Sequence, residues 1–297
     1  MRYVIAGSSG FLGTALRARL ADGGHEVVRL VRRPAASASE STWDPYSGDV
    51  DTDLVGGADV VVNLAGVNLG RWPWTESYRR LIMDSRTRTT DTLATAIAGA
   101  PKPPAFVVAS GASRYGNDRG VETLTEDSSD GDGFLAEVVR AWEAAADPAR
   151  DAGARVCCLR SGVVIDRSGS ALRLMWLPFW LGLGARIGSG AQYFPIISLD
   201  DWTRAAIFLT EQPDASGPYN MVGPEPATNA EFTRALADAL HRPAFLSAPA
   251  VVLRTVLGDV AGELTGSRRV LPQRLIDAGF QHHDRDVEAI VSAGLHR

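Results

Sequence analysis

Apolar positions change their period twice within the first thirty or so residues. Tyr3-Val4-Ile5-Ala6 is a continuous apolar run that stops at glycine. From Phe11 to Leu20 the apolar residues (Phe11, Leu12, Ala15, Leu16, Leu20) fall at helical spacing, and Asp22-Gly23-Gly24 ends the helix. Glu26 to Val31 returns to a strand pattern. Strand, helix and strand in that order form a βαβ unit. The alternation continues downstream. Strands are expected at Asp59–Leu64, Ala105–Ala109 and Arg155–Leu159, and helices at about Thr75 to Ala98 and Phe134 to Arg150. This pattern predicts an α/β fold with a doubly wound parallel sheet of Rossmann type.

The pattern changes after about residue 165, where glycines, prolines and aromatics crowd Trp176 to Pro195. We read residues 1–165 as a dinucleotide-binding domain and 166–297 as mainly a smaller C-terminal substrate lobe. Segments near 196–222, such as Asp200 to Thr210, are expected to return to the main sheet. Pro34 to Ser41 is the expected flexible loop.

Gly7-Ser8-Ser9-Gly10-Phe11-Leu12-Gly13 lies where the first strand meets the first helix. Gly7 permits the tight turn, Gly10 lets the backbone approach a diphosphate, and Gly13 lets the helix pack closely on the sheet. The open N–H groups of the helix N-terminus would face the diphosphate. An acidic residue at the end of the second strand would hold the ribose hydroxyls of NAD. This chain has Arg32 and Arg33 there, whose charge and fork geometry match a 2′-phosphate. NADP is therefore favoured over NAD, with solvated surface arginines as the other reading.

Composition sharpens the chemistry. Lys102 is the only lysine among 30 basic residues, against 35 acidic ones, and the formal net charge is −5. The mild acidity and lack of a basic run argue against nucleic acid. The most apolar stretch, Leu172 to Leu183, is interrupted by Arg173 and Pro178 and is too short to span a membrane. The first strand begins at once, so a cytoplasmic protein is expected. Cys157 and Cys158 fall in a buried strand as inert thiols, and no His/Cys spacing predicts zinc.

These motifs resemble the extended short-chain dehydrogenase/reductase superfamily, through the glycine turn and Asn63-Leu64-Ala65-Gly66. A narrower resemblance, to the epimerase family branch with YfcH-like proteins, rests on Trp43-Asp44-Pro45, Asp84-Ser85-Arg86, Arg160-Ser161-Gly162-Val163-Val164, Asn220-Met221-Val222-Gly223-Pro224 and further segments along nearly the whole chain. It implies that Leu64, Ala65, Gly66 and Gly162 belong to the cofactor site. The superfamily uses a serine with a YxxxK pair. Here the corresponding helix begins Phe134-Leu135-Ala136-Glu137, and Lys102 sits between prolines, so the pair is absent. Gly111 takes the serine's position, flanked by Ser110 and Ser113.

The expected catalytic groups are thus Tyr115 with Ser110 or Ser113, just past the carboxyl end of a central strand. Glu137 is a weaker candidate base, and Asp118, Glu122, Glu126 and Asp127 form an acidic surface loop or lid. Trp176, Phe179, Trp180, Tyr193 and Phe194 either line an apolar or aromatic substrate pocket or pack as core. The leading function is an NADP-binding reductase, dehydrogenase or epimerase-like enzyme acting on a small molecule. The alternatives are a non-redox isomerase, lyase or cyclase, and a dinucleotide-binding sensor without turnover.

Overall fold

Strict alternation of apolar side chains along the first strand sends Tyr3 and Ile5 to one face and Val4 and Ala6 to the other, and all four are buried. The same double burial recurs in every central strand, as a parallel sheet covered on both faces requires. The computed structural model describes residues 1–180, 182–249, 255, 262, 263 and 265–296.

In chain order the strands and helices of the first half are β1 (Arg2–Ala6), α1 (Phe11–Asp22), β2 (Glu26–Val31), β3 (Glu40–Thr42), α2 (Thr52–Gly56), β4 (Val60–Asn63), α3 (Glu76–Ala98), β5 (Ala105–Gly111), β6 (Thr123–Leu124), α4 (Phe134–Ala144), α5 (Asp147–Asp151) and β7 (Val156–Ser161). The second half holds β8 (Val163–Ile165), α6 (Ser170–Trp180), β9 (Ala185–Ile187), β10 (Tyr193–Phe194), β11 (Ile196–Ser198), α7 (Leu199–Glu211), β12 (Gly217–Met221), β13 (Ala227–Thr228), α8 (Asn229–Ala239), β14 (Leu246–Ala248), β15 (Arg269–Val270), α9 (Gln273–Asp277) and α10 (Val287–His296).

A seven-stranded sheet runs β12-β7-β5-β4-β1-β2-β3, and every pairing in it is parallel. Strand order reverses between β1 and β4, which opens a crevice at their carboxyl ends. Leu93, Ile97, Trp142 and Ala149 cover one face, and Leu16, Leu20, Trp202 and Leu209 cover the other. A third apolar cluster (Leu172, Phe179, Phe194, Phe232, Leu236, Ile290) forms the core of the smaller lobe. This is the doubly wound architecture expected from the periodicity.

Three local expectations change. The helix expected from Phe134 to Arg150 is two helices, α4 and α5. Pro148 has no N–H to continue the ladder and its ring would meet the carbonyl of Ala144. The expected loop Pro34 to Ser41 ends in the edge strand β3, where Arg29, Leu30 and Val31 pair with Glu40, Ser41 and Thr42. Asp200 to Thr210 lies within helix α7, packed on the sheet beside α1, and the strand that returns to the sheet is β12.

Candidate cofactor cleft and the loop beyond β5

The turn after β1 is built by three glycines with different reasons. Gly7 has φ +75°, and a Cβ there would sit 2.5 Å from the carbonyl carbon of Leu64. A Cβ on Gly13 would lie 2.2 Å from the Gly7 oxygen. Gly10 caps α1 in an extended conformation with no side-chain hydrogen bond and no acid in the first turn, so the helix presents bare N–H groups. Helices α2, α3, α7 and α8 are instead capped by Asp51, Thr75, Ser198 and Thr228.

A cavity of about 680 Å³ opens at this turn. Gly7, Ser8, Ser9, Gly10, Arg32, Arg33, Leu64, Ala65 and Gly66 line it, all predicted from the sequence. The sequence reasoning missed Arg29, Trp43, Pro45, Tyr46, Val67, Ser85 and Thr89, which line it too. Trp43-Asp44-Pro45 and Asp84-Ser85-Arg86 had carried the resemblance, and that was the available signal. Among the described residues no carboxylate lines the cavity.

Phe11 and Leu12, also predicted, turn their side chains against the core, where a Cβ on Gly169 would lie 3.0 Å from the Phe11 ring, while their backbone N–H groups are among the bare donors at the start of α1. Gly162 is not in the cavity lining; a Cβ there would meet the Pro195 carbonyl oxygen at 2.6 Å. Its conformation serves packing between β7 and the loop after β10.

Helix α3 holds the wall opposite the glycine turn. Asn63 donates to Thr89 and Thr90 at 3.1 and 2.9 Å, and its oxygen receives the Ala65 amide at 3.0 Å. The Val67 amide donates to Ser85 at 3.2 Å, and Arg86 donates to the Val67 carbonyl at 3.1 Å. Burial pulls the Arg86 guanidinium down to about 10, and it stacks over Trp142. The wall is therefore fixed before any ligand arrives.

The two arginines after β2 have unequal fates. Arg33 is forked on the Glu40 carboxylate, at 2.8 and 2.7 Å. Arg29 pairs with the same carboxylate, which also receives the Ala36 amide at 2.8 Å. The Arg33 and Ala36 hydrogen bonds, with the two guanidinium charges, hold the Glu40 carboxyl down at about 2. Arg32 is exposed, its guanidinium makes no hydrogen bond among the described residues, and its charge reaches only as far as a coulombic interaction with Asp44. The pair predicted to act together on a phosphate is thus divided: Arg32 is open, while the Arg33 fork is occupied.

The loop after β5 is built differently. Ser110 donates to Glu143 at 2.6 Å, and Arg160 grips that same carboxylate with two 2.9 Å bonds. Arg160 also donates to the Tyr115 hydroxyl at 3.1 Å, and Tyr115 donates to Asn220 at 2.8 Å. Tyr115 is fully buried, and desolvation raises its pKa. The hydroxyls of Ser110 and Tyr115, predicted as proton donors to a ligand, are thus committed to a buried network.

Ser113 is half-buried and donates to Glu263 at 2.9 Å, while Arg268 pairs with Glu263 at 2.9 Å. Glu126, expected in an exposed acidic loop, is only 4% exposed. It receives the amides of Asn220 and Arg274, and burial raises its pKa. Glu137 is exposed. Lys102 is exposed before the amino end of β5, at the opposite edge of the sheet from the cleft.

The aromatic residues of the second lobe divide. Phe179 and Phe194 are core, whereas Trp176 and Trp180 stack on each other with Trp180 half exposed. Burial pushes the Cys157 and Cys158 thiols up to about 11 and 12, so both are inert. Among the described residues no helix is long and apolar enough to cross a membrane.

The crevice at the strand-order reversal, the glycine turn and the fixed β4 wall define a Rossmann-type nucleotide-binding protein. The chain belongs to the NAD dependent epimerase/dehydratase family, whose pattern matches residues 3–223. Within it the chain is similar to the proteins called epimerase family proteins. That of Mycobacterium tuberculosis is 44% identical over 288 residues, covering 96% of this chain and 95% of the relative. Residues 248–293 match a domain of unknown function, DUF1731.

The crystal structure of human epimerase family protein SDR39U1 (isoform 2) with NADPH is 37% identical, with a TM-score of 0.88 over 99% of both chains. The nucleoside-diphosphate sugar epimerase of Corynebacterium glutamicum is 35% identical with a TM-score of 0.81, over 99% of this chain and 58% of that one.

Proposed function

We propose that this chain is an NADP(H)-binding enzyme of the atypical short-chain dehydrogenase/reductase type, acting on a small molecule by reductase, dehydrogenase or epimerase-like chemistry. The observation that carries this is the acid-free cavity lined by the glycine turn, Arg32 and Leu64–Gly66. The NADPH found with the human relative supports the same reading.

The residues present fit the group. The bare N-terminus of α1 offers N–H donors to a diphosphate, Gly7 and Gly13 keep the cradle free of side chains, and Arg32 offers an open guanidinium to a 2′-phosphate. When bound, the nicotinamide supplies the hydride. The chain fixes its orientation through the α3-held wall and moves a proton. Of the three candidate hydroxyls, Ser113 is the least enclosed, and its proton rests between Ser113 Oγ and Glu263 Oε2.

A second reading, non-redox chemistry or ligand sensing on the same scaffold, draws support from the commitment of Ser110 and Tyr115 to internal bonds. Titration with NADPH and NADH by intrinsic tryptophan fluorescence, followed by a carbonyl substrate panel read at the reduced nicotinamide absorbance, separates the two. Tight NADPH binding with oxidation supports the leading reading. Tight binding without oxidation moves the conclusion to the second, and binding of neither cofactor sinks the first.

A further inference from the structure

The NADP reading leaves unexplained why a carboxylate is buried a few ångströms behind the end of the cavity where a 2′-phosphate would lie. Glu40 is not adjacent to β2 in sequence; β3 brings it there by pairing Glu40 with Arg29. Its side chain is 1% exposed, and Arg29 and Arg33, which cover it, both line the cavity.

Its acceptor capacity is filled. Oε1 takes Arg29 and Arg33, and Oε2 takes Arg33 and the Ala36 amide. A carboxylate has about four lone-pair positions, so nothing is left for a ribose hydroxyl. An open carboxylate at this point would do the reverse. It would accept a hydrogen bond from a ribose 2′-hydroxyl and repel a 2′-phosphate.

Resting on the NADP(H)-binding reading, we propose that Glu40 is a latent selector for NAD(H), and that Arg33 fixes the preference for NADP(H) by covering it. Arg33 then acts twice. It adds a positive charge beside the phosphate position, and it occupies the carboxylate. Arg32, which hydrogen-bonds no carboxylate among the described residues and interacts with Asp44 through charge alone, acts once, through its own charge and donors. The two arginines are adjacent in sequence and chemically identical, yet their removal has different consequences.

The test measures dissociation constants for NADPH and NADH on the full chain, by fluorescence titration of wild type, R32A, R33A, R33M and R33A/E40Q. Circular dichroism and thermal melts check folding. R33M retains the aliphatic stem over the β2–β3 edge, so a loop collapse peculiar to the alanine variant is recognised. Adenosine 2′,5′-bisphosphate and ADP repeat the contrast as fragments without nicotinamide.

R32A is expected to weaken NADPH about tenfold and leave NADH unchanged. R33A and R33M are expected to weaken NADPH similarly and to tighten NADH about threefold or more. R33A/E40Q is expected to lose that NADH gain while NADPH recovers in part. The proposal is overturned if the Arg33 variants weaken NADPH without tightening NADH, or if the NADH gain survives the E40Q change. Failure of the wild type to bind either dinucleotide is a different result, which removes the NADP(H) reading and this proposal with it.

Discussion

The two ends of the strand-top crevice are built on opposite plans. At β1 and β4 the ligand-facing groups are backbone and open cations: bare N–H groups on α1, three glycines and Arg32. At β5 and β7 the chemically interesting side chains point inward. Ser110, Tyr115, Glu143, Arg160 and Asn220 satisfy one another in a buried network. Backbone donors cannot be lost by substitution of most side chains, so the first end tolerates sequence change where glycines are kept. The second end is a closed electrostatic unit, in which each member is needed to offset the burial of the others.

The largest effect expected is on the closed unit. Arg160→Ala leaves buried Glu143 with only the Ser110 hydroxyl at 2.6 Å and Arg114 at 3.7 Å, and should cost about 3 kcal/mol in urea unfolding. A loss under 1 kcal/mol would show that the network is not the support described. Next comes the open end. Gly13→Ala places a Cβ against the Gly7 carbonyl, so NADPH affinity should fall at least ~30-fold in a fluorescence titration.

Tyr115→Phe removes one buried hydroxyl and should cost about 1–2 kcal/mol of stability while NADPH affinity stays within about twofold. A large loss of cofactor binding instead would break the separation between the two ends. The smallest effect concerns pH. The Glu40 carboxyl is held at about 2 in the folded chain, below its ordinary value of 4.5. Its stabilising contribution is therefore complete above about pH 4.5 and fades as pH falls toward 2. The stability difference between wild type and E40Q should narrow over that window in acid titrations followed by circular dichroism.

The same contrast explains what the sequence could reveal. The glycine turn was legible because its constraints are local: Gly7 and Gly13 act within one turn and one helix start. The buried strands were legible because both faces are covered, which leaves continuous apolar runs. Glu40 was hidden because its role comes from pairing between β2 and β3, inside a stretch whose alanines and serines look like a loop. Ser110 and Tyr115 stood at the right place on the chain, yet their partners Glu143 and Asn220 are 33 and 105 residues away. No spacing rule reports that a hydroxyl turns toward such a partner rather than toward a cleft. The wall residues Ser85 and Thr89 were visible as part of a helix, but not which of its faces meets the cavity.

The edge strand β12 gives this network a history as well as a geometry. Asn220 sits on β12, and its side-chain amide donates to the Leu271 carbonyl at 2.8 Å. During synthesis, Glu143 and Arg160 emerge before β12 and can meet Tyr115 first. Tyr115 gains its Asn220 acceptor only once residue 220 has emerged, and Asn220 gains the Leu271 carbonyl later still. A nascent chain halted before that point would hold the Arg160–Glu143–Tyr115 part of the network without its last acceptor.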